Sequence, residues 1–234
     1  ASLQALVGQK WVLVVDQTAG DKSITLGGAT SQSFERMLDA ALSENPDALV
    51  LIKTHPDVLA GQKKGHFSPR DLTAKPGNER IRFYAGDIAP QMLMESASCV
   101  YVVTSQYGFD ALLAGKTVRV FGMPFYAGWG LTKDEQQNSR RTKTLTLNEL
   151  VAGALIAYPT YYDPFRAQPC SLEQVLDYLC DERLMPRCTG QRIFAVGFSF
   201  WKRSFVRQFL SGGKNVRFVG PRAFETIKWK DGDT

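Results

Sequence analysis

The sequence predicts an α/β protein with a doubly wound, mainly parallel Rossmann-like sheet, and three observations carry that prediction. Short β-branched runs alternate with stretches of helical periodicity from residue 11 to residue 122. The strand-like runs are apolar at nearly every position, so both faces of their sheet must be covered by helices. Polar clusters follow four of these runs, where the carboxyl ends of parallel strands collect ligands.

The first run, WVLVVDQ (11–17), ends in polar residues. In SQSFERMLDAALSEN (31–45), Phe34, Leu38, Ala41 and Leu42 share one helical face. ALVLIKT (48–54), IRFYAG (81–86), SCVYVVT (98–104) and TVRVFG (117–122) read as further strands, separated by helical DIAPQMLMESA and SQYGFDALLAG. Residues 145–157 and 171–183 read as two closing helices, the second with Ser171 as N-cap and Glu173 and Gln174 in its first turn. The stretch between them, YPTYYDPFRAQP, is too rich in proline and aromatic residues to be regular. The pattern then restarts with RIFAVGF as strand, SFWKRSFVRQFLSG as helix and NVRFVG as strand. This predicts a first domain over 1–185 and, over 186–234, a linker with the incomplete start of a second Rossmann-like unit. A second unit that stops at Thr234 points to a piece of a longer chain.

Composition narrows the function classes. With 44% hydrophobic and 22% charged residues in 234, the chain buries a sizeable core and is not disordered. Its net charge of +5 is spread over scattered lysines and arginines, which favours an anionic small molecule or a membrane-facing rim over nucleic acid. Cys99, Cys170, Cys180 and Cys188 show no CxxC spacing and read as cytosolic thiols, Cys99 as a small core residue. Apolar runs are shorter than the roughly 20 residues that span a bilayer, so a cytoplasmic location with any membrane association peripheral is expected. GxGxxG, GxxxxGK[ST] and HExxH are all missing, the lone DxD is Asp231-Gly232-Asp233 far from the polar clusters that follow the strands, and no metal or cofactor is expected.

The four polar clusters are DQTAGDKSI (16–24), KTHPDV (53–58), TSQYGFDALLAGK (104–116) and GMPFYAGWGLT (122–132). Asp21 is either a turn or helix-capping aspartate, or a carboxylate acting as nucleophile or base. Asp16, at the end of an apolar strand, reads as the anchor of its loop. His55, flanked by Lys53, Thr54 and Pro56, is either satisfied by a neighbouring carbonyl or aimed at a phosphate, with Pro56 fixing the backbone. His66, in a loop with no strand behind it, reads as solvent-exposed. Thr104 and Ser105 open a helix and can serve as N-caps and as an anion site together. In PFYAGWGLT the aromatics either pack or form a platform for a sugar ring. Arg140 and Arg141 are either contacts to lipid head groups or a solvated basic pair, the commoner arrangement.

Taken together, VLVVDQTAGDKSI, IKTHPDV, VTSQYGFDALLAGKTVRVFGMPFYAGWGLT and LTLNELVAGALIAYPTYYDP resemble the capsular polysaccharide biosynthesis family of KpsC type, the retaining β-Kdo transferases of bacterial capsule linkers. The likeness runs over about residues 10 to 165. It implies that the chain is the nucleotide-binding half of one GT-B module plus the opening of another. It implies Asp21 as the nucleophile toward CMP-β-Kdo and His55 as a second catalytic residue. Lys53, Thr54, His55, Pro56, Thr104 and Ser105 would hold the donor, and Gln17, Tyr126 and Trp129 would make lesser donor or acceptor contacts. It implies a lipid-linked Kdo acceptor, the missing halves of the longer chain and other capsule synthesis or export proteins as partners, with an acid/base carboxylate supplied by the preceding half. The isolated chain would then bind nucleotide weakly and transfer little. Two other functions suit the same residues: a phosphotransferase of CDP-glycerol type and a non-catalytic capsule assembly scaffold.

Overall fold

The computed structural model describes residues 8–54, 58, 61–70, 72, 73, 75–86, 90–163, 165–184, 192–203 and 216–228. The chain divides into two compact units, Ala1–Pro159 and Thr160–Thr234, so that the helix after residue 171 groups with the second.

In the first unit, β1 (Trp11–Val15), α1 (Lys22–Leu26), α2 (Ser31–Glu44), β2 (Leu49–Lys53), β3 (Ile81–Tyr84), α3 (Pro90–Ser96), β4 (Val100–Val102), α4 (Tyr107–Leu113), β5 (Val118–Val120) and β6 (Lys133–Asp134) precede α5 (Leu147–Val151), which runs on into a π-helical turn at Ala152–Ala157. The sheet has order β3-β2-β1-β4-β5-β6, and every pair in it is parallel. The order reverses beside β1. There β1 pairs with β2 on one side (Val15 opposite Lys53) and β4 on the other (Leu13 opposite Val100), so the loops after β1 and β4 flank a crevice.

Both faces are dry, as nearly unbroken apolar strands require. Leu13, Val15, Leu51, Val100 and Val102 pack with Leu93, Phe109, Tyr126 and Leu150 on one face. Val12, Val14, Val50, Ile52 and Tyr101 pack with Phe34, Met37, Leu38 and Ala41 of α2 on the other. Phe34 is fully buried, and removing a ring of that size from water is worth about 2–3 kcal/mol. Thr30 and Ser33 form a capping box that starts α2.

The second unit contains β7 (Tyr161–Asp163), β8 (Gln168–Cys170), α6 (Leu172–Leu184), β9 (Ile193–Val196), β10 (Val216–Val219) and α7 (Pro221–Phe224). Here one expectation is corrected: the proline- and aromatic-rich stretch contains regular structure, because β7 and β8 pair antiparallel. Asp163 closes that hairpin by accepting the N–H groups of Phe165 and Arg166 and the hydroxyl of Tyr178. β9 and β10 pair in parallel, and most of the helix expected between them lies outside the described residues. Among the described residues no helix is long and apolar enough to cross a membrane.

Candidate active site

The crevice beside β1 holds a cavity of about 440 Å³ lined by residues of three segments: Asp16 to Ser23 after β1, Thr104 to Gln106 after β4, and Phe125 and Tyr126 beyond β5.

Asp16 is 8% exposed and does anchor its loop. Its Oδ1 accepts the N–H groups of Gln17 (2.9 Å) and His66 (3.0 Å), and its Oδ2 accepts the Thr54 hydroxyl at 3.2 Å. Burial pushes its carboxyl above the usual range, against those hydrogen bonds. Thr54, 1% exposed, thus spends its hydroxyl on Asp16 below the cavity. Lys53 donates to the carbonyls of Thr54 and Gly86 and lies over the Tyr84 ring. His55 and Pro56 lie outside the described residues.

Asp21 is exposed at the rim and caps α1, its Oδ1 accepting the Ser23 N–H at 2.9 Å. Slight burial raises its carboxyl, but hydrogen bonds from Ser23 and Gln17 outweigh this and leave it below the ordinary range. The capping and reactive readings of Asp21 are therefore compatible. Gln17 joins the two sides of the crevice: its Nε2 reaches Thr104 Oγ1 at 3.0 Å and Asp21 Oδ2 and Ser23 Oγ at 3.3 Å, while its Oε1 accepts the Thr104 N–H at 3.0 Å.

Thr104 is held by shape. A Cβ on Gly27 would lie 2.5 Å from its methyl group and one on Gly122 2.7 Å, so two glycines make room for that methyl and its hydroxyl faces Ser23 at 3.0 Å. Ser105 accepts the Tyr107 N–H on its hydroxyl and the Tyr126 phenol on its carbonyl. Tyr126 is fully buried, and burial with Asp110 and Asp134 nearby drives its phenol well above the usual range. It lines the cavity as a wall.

Trp129 lines a different cavity. That groove, about 660 Å³ and largely apolar, lies between Phe109, Phe125, Leu150, Leu155 and Tyr158, with Phe125 and Gln106 lining both cavities. The Trp129 indole donates to the Phe125 carbonyl, and the Arg141 guanidinium lies 5.4 Å over its ring. Arg141 also donates to the carbonyls of Pro124 and Ala127, so it staples this loop and is not one of a solvated pair. Gly128 and Gly130 supply the left-handed turns on either side of Trp129 (φ 79° and 80°).

His66 is a second correction. Instead of sitting in solvent it is half-buried, stacked on Phe34 with ring centroids 3.7 Å apart. The reason is non-local: α2 offers a flat apolar ring and Asp16 takes the His66 N–H. Burial lowers its imidazole pKa against the opposing pull of Asp16.

Sequence reasoning placed Thr18, Ser23, Gln106 and Phe125 inside its polar clusters but did not single them out as cavity residues. Only Ser23 had a local signal, the Asp21-x-Ser23 spacing of a capping turn. The lining includes two carboxylates, Asp16 and Asp21, and no cation among the described residues. Such a site can present an ionised, oriented carboxylate at the rim beside hydroxyl and amide donors. Among the described residues no group of three His, Cys, Asp or Glu side chains could hold a metal ion.

The profile of a family described as "Capsule polysaccharide biosynthesis protein" matches residues 3–161. Capsule polysaccharide modification protein LipA of Neisseria meningitidis serogroup B is 41% identical over 207 residues, 86% of this chain and 29% of LipA. Lipopolysaccharide-processing protein LpsZ of Rhizobium meliloti is 43% identical over 150 residues, 64% of this chain and 33% of LpsZ. Among solved structures, the β-Kdo 2,4 transferase of Thermosulfurimonas dismutans KpsC matches with TM-score 0.65 at 40% identity, over 74% of this chain and 52% of that one. The β-Kdo 2,7 transferase of the same KpsC matches with TM-score 0.60 at 32% identity, over 75% of this chain and 55% of that one. The chain thus spans about half the length of the solved relatives and under a third of LipA.

Proposed function

We propose that this chain, which belongs to the capsule polysaccharide biosynthesis protein family, is the donor-binding half of a glycosyltransferase that moves Kdo from CMP-β-Kdo, with retention, to a lipid-linked acceptor. The observation that carries the reading is Asp21: a carboxylate hydrogen-bonded in its ionised form at the rim of a crevice where the strand order reverses. Solved relatives whose titles name β-Kdo transferases support the sugar.

In this reading an Asp21 oxygen forms a bond to the anomeric carbon of Kdo as the bond from that carbon to the CMP phosphate oxygen breaks, CMP leaving with the electron pair. An acceptor hydroxyl then attacks the same carbon, loses its proton to an acid/base group of the other half, and expels Asp21. Two inversions give net retention. Thr104 and Ser105, which line the cavity, would frame the nucleotide side, Lys53, His55 and Pro56 are assigned to it from the sequence, and Thr54 acts through Asp16, which holds its hydroxyl. Lys53 and His55 would supply the positive charge that the described lining lacks.

The test uses the full-length protein that carries this chain. Wild type incubated with CMP-Kdo and no acceptor should carry one Kdo on the peptide containing Asp21, read by mass spectrometry, and Asp21→Asn should lose both adduct and transfer while melting like wild type. Transfer at the wild-type rate by a folded Asp21→Asn protein sinks the reading and favours an assembly scaffold or a CDP-glycerol-type phosphotransferase.

A further inference from the structure

We propose that Gln17 is the positioning residue for Asp21: it shares the loop after β1 with Asp21 and, pinned to Thr104 on the opposite side of the crevice, holds the carboxylate so that one oxygen stays aimed at the bound sugar. The inference rests on the reading of Asp21 as nucleophile.

The hydrogen bonds leave the amide one orientation. The Thr104 backbone N–H can only donate, and it meets Gln17 Oε1 at 3.0 Å. The other end of the amide must then be the NH2. That end faces Asp21 Oδ2 and Ser23 Oγ at 3.3 Å and Thr104 Oγ1 at 3.0 Å. Asp21 Oδ1 is taken by the Ser23 N–H at 2.9 Å, so each carboxylate oxygen has its own donor. Ser23 holds Asp21 within its own turn. Gln17 bonds directly both to Asp21 and to Thr104 in the loop after β4, which the Ser23 hydroxyl also reaches at 3.0 Å. Among the cavity residues the other ionisable groups are Asp16, whose oxygens are occupied by Gln17 N–H, His66 N–H and Thr54, and Tyr126, whose buried phenol stays protonated on the Ser105 carbonyl; Lys22 follows Asp21 in the chain.

A residue that accepts at one end and donates at the other can be dissected by isosteres. Gln17→Glu keeps the acceptor for the Thr104 N–H and replaces the donor with a negative oxygen facing Asp21. Gln17→Met keeps the length and loses both ends.

Transfer from CMP-Kdo by the full-length protein, with kcat and KM measured across pH, separates a positioning role from a structural tie. For Gln17→Glu we expect kcat to fall on the order of 100-fold with KM changed only a few-fold, as for a misplaced reacting group. The acid limb of its profile should move to higher pH, because Asp21 loses a donor and gains a like charge. Gln17→Met should show the same upward shift, smaller, and serves if the Glu variant does not fold. Gln17→Glu at wild-type kcat, or an acid limb unmoved in Gln17→Met, overturns the proposal. A fully active Asp21→Asn protein would instead remove the nucleophile reading itself, so the two failures are distinguishable.

Discussion

Asp16 accepts the backbone N–H of His66 at 3.0 Å across 50 residues of sequence, and on the same oxygen it accepts the N–H of Gln17. Both donors are peptide groups, so an amide oxygen could replace the carboxylate oxygen without loss.

That makes the charge of Asp16 dispensable. Asp16→Asn keeps both peptide donors on Oδ1 and offers its NH2 to the Thr54 hydroxyl, while removing a buried charge. Its stability at neutral pH should stay within about 1 kcal/mol of wild type, whereas Asp16→Ala, which orphans three donors, should lose about 2–4 kcal/mol. The sign of the pH effect follows from the raised carboxyl. A folded pKa above the unfolded one gives stability that is full below the unfolded pKa and declines as pH rises through the folded one. The Asn variant should therefore gain on wild type as pH rises through that window in urea melts. Equal losses in Asn and Ala would show that the charge matters after all.

Gly108 sits in α4 against Tyr126. A Cβ there would overlap the phenol oxygen and lie 2.6 Å from Tyr126 Cζ, and moving the buried ring away would break its hydrogen bond to the Ser105 carbonyl. Gly108→Ala should lose about 2–3 kcal/mol in spite of the better helix propensity of alanine. Gly153, exposed in the π-helical turn with nothing within 4 Å of a built Cβ, is the control. Its alanine variant should gain up to about 1 kcal/mol. Thermal melts of the pair decide, and a Gly108→Ala protein as stable as wild type would mean the Tyr126 wall yields.

Glu44, at the end of α2, accepts three hydrogen bonds from Arg119 of β5, the shortest 2.8 Å, and one from Tyr101 of β4 at 2.8 Å. Burial nudges its carboxyl up, but Arg119 and Tyr101 hold it below the ordinary glutamate range. A depressed folded pKa gives stability that is present above the unfolded value, near 4.3, and is lost as pH falls through the folded one. The Glu44 side chain is 40% exposed, so solvent screening limits the pair to roughly 0.5–1 kcal/mol. Glu44→Gln should melt lower than wild type at pH 7, and the gap should close as pH drops below 4.3. A gap that persists in acid would assign the effect to packing.

The central sheet could be read directly because WVLVV, LVLIK and VYV are apolar on both faces and need no partner to announce themselves. The same holds for α2, whose buried face repeats at helical spacing. Features made by distant partners were not legible. β6 is two residues long, Lys133 and Asp134, and exists because β5 offers an open edge. Arg141 and His66 look like surface residues until the Trp129 ring and the Phe34 ring are brought under them. Within the site, Asp16 and Asp21 stood out as carboxylates after a strand, but the Gln17 amide gained its meaning from Thr104, which no local pattern connects to it.

Gln17 and Thr104 are 87 residues apart, in the loops that follow β1 and β4. Their bonds can form only after β1 and β4 have paired, an ordering step that closes a long loop and comes late on entropic grounds. A nascent chain that has made β1 to β3 already carries Asp16, Gln17 and Asp21 but has no crevice to put them in. If Asp21 is the nucleophile proposed above, its reactivity is acquired at the seam, when folding joins the two halves of the sheet, and is withheld from every shorter intermediate.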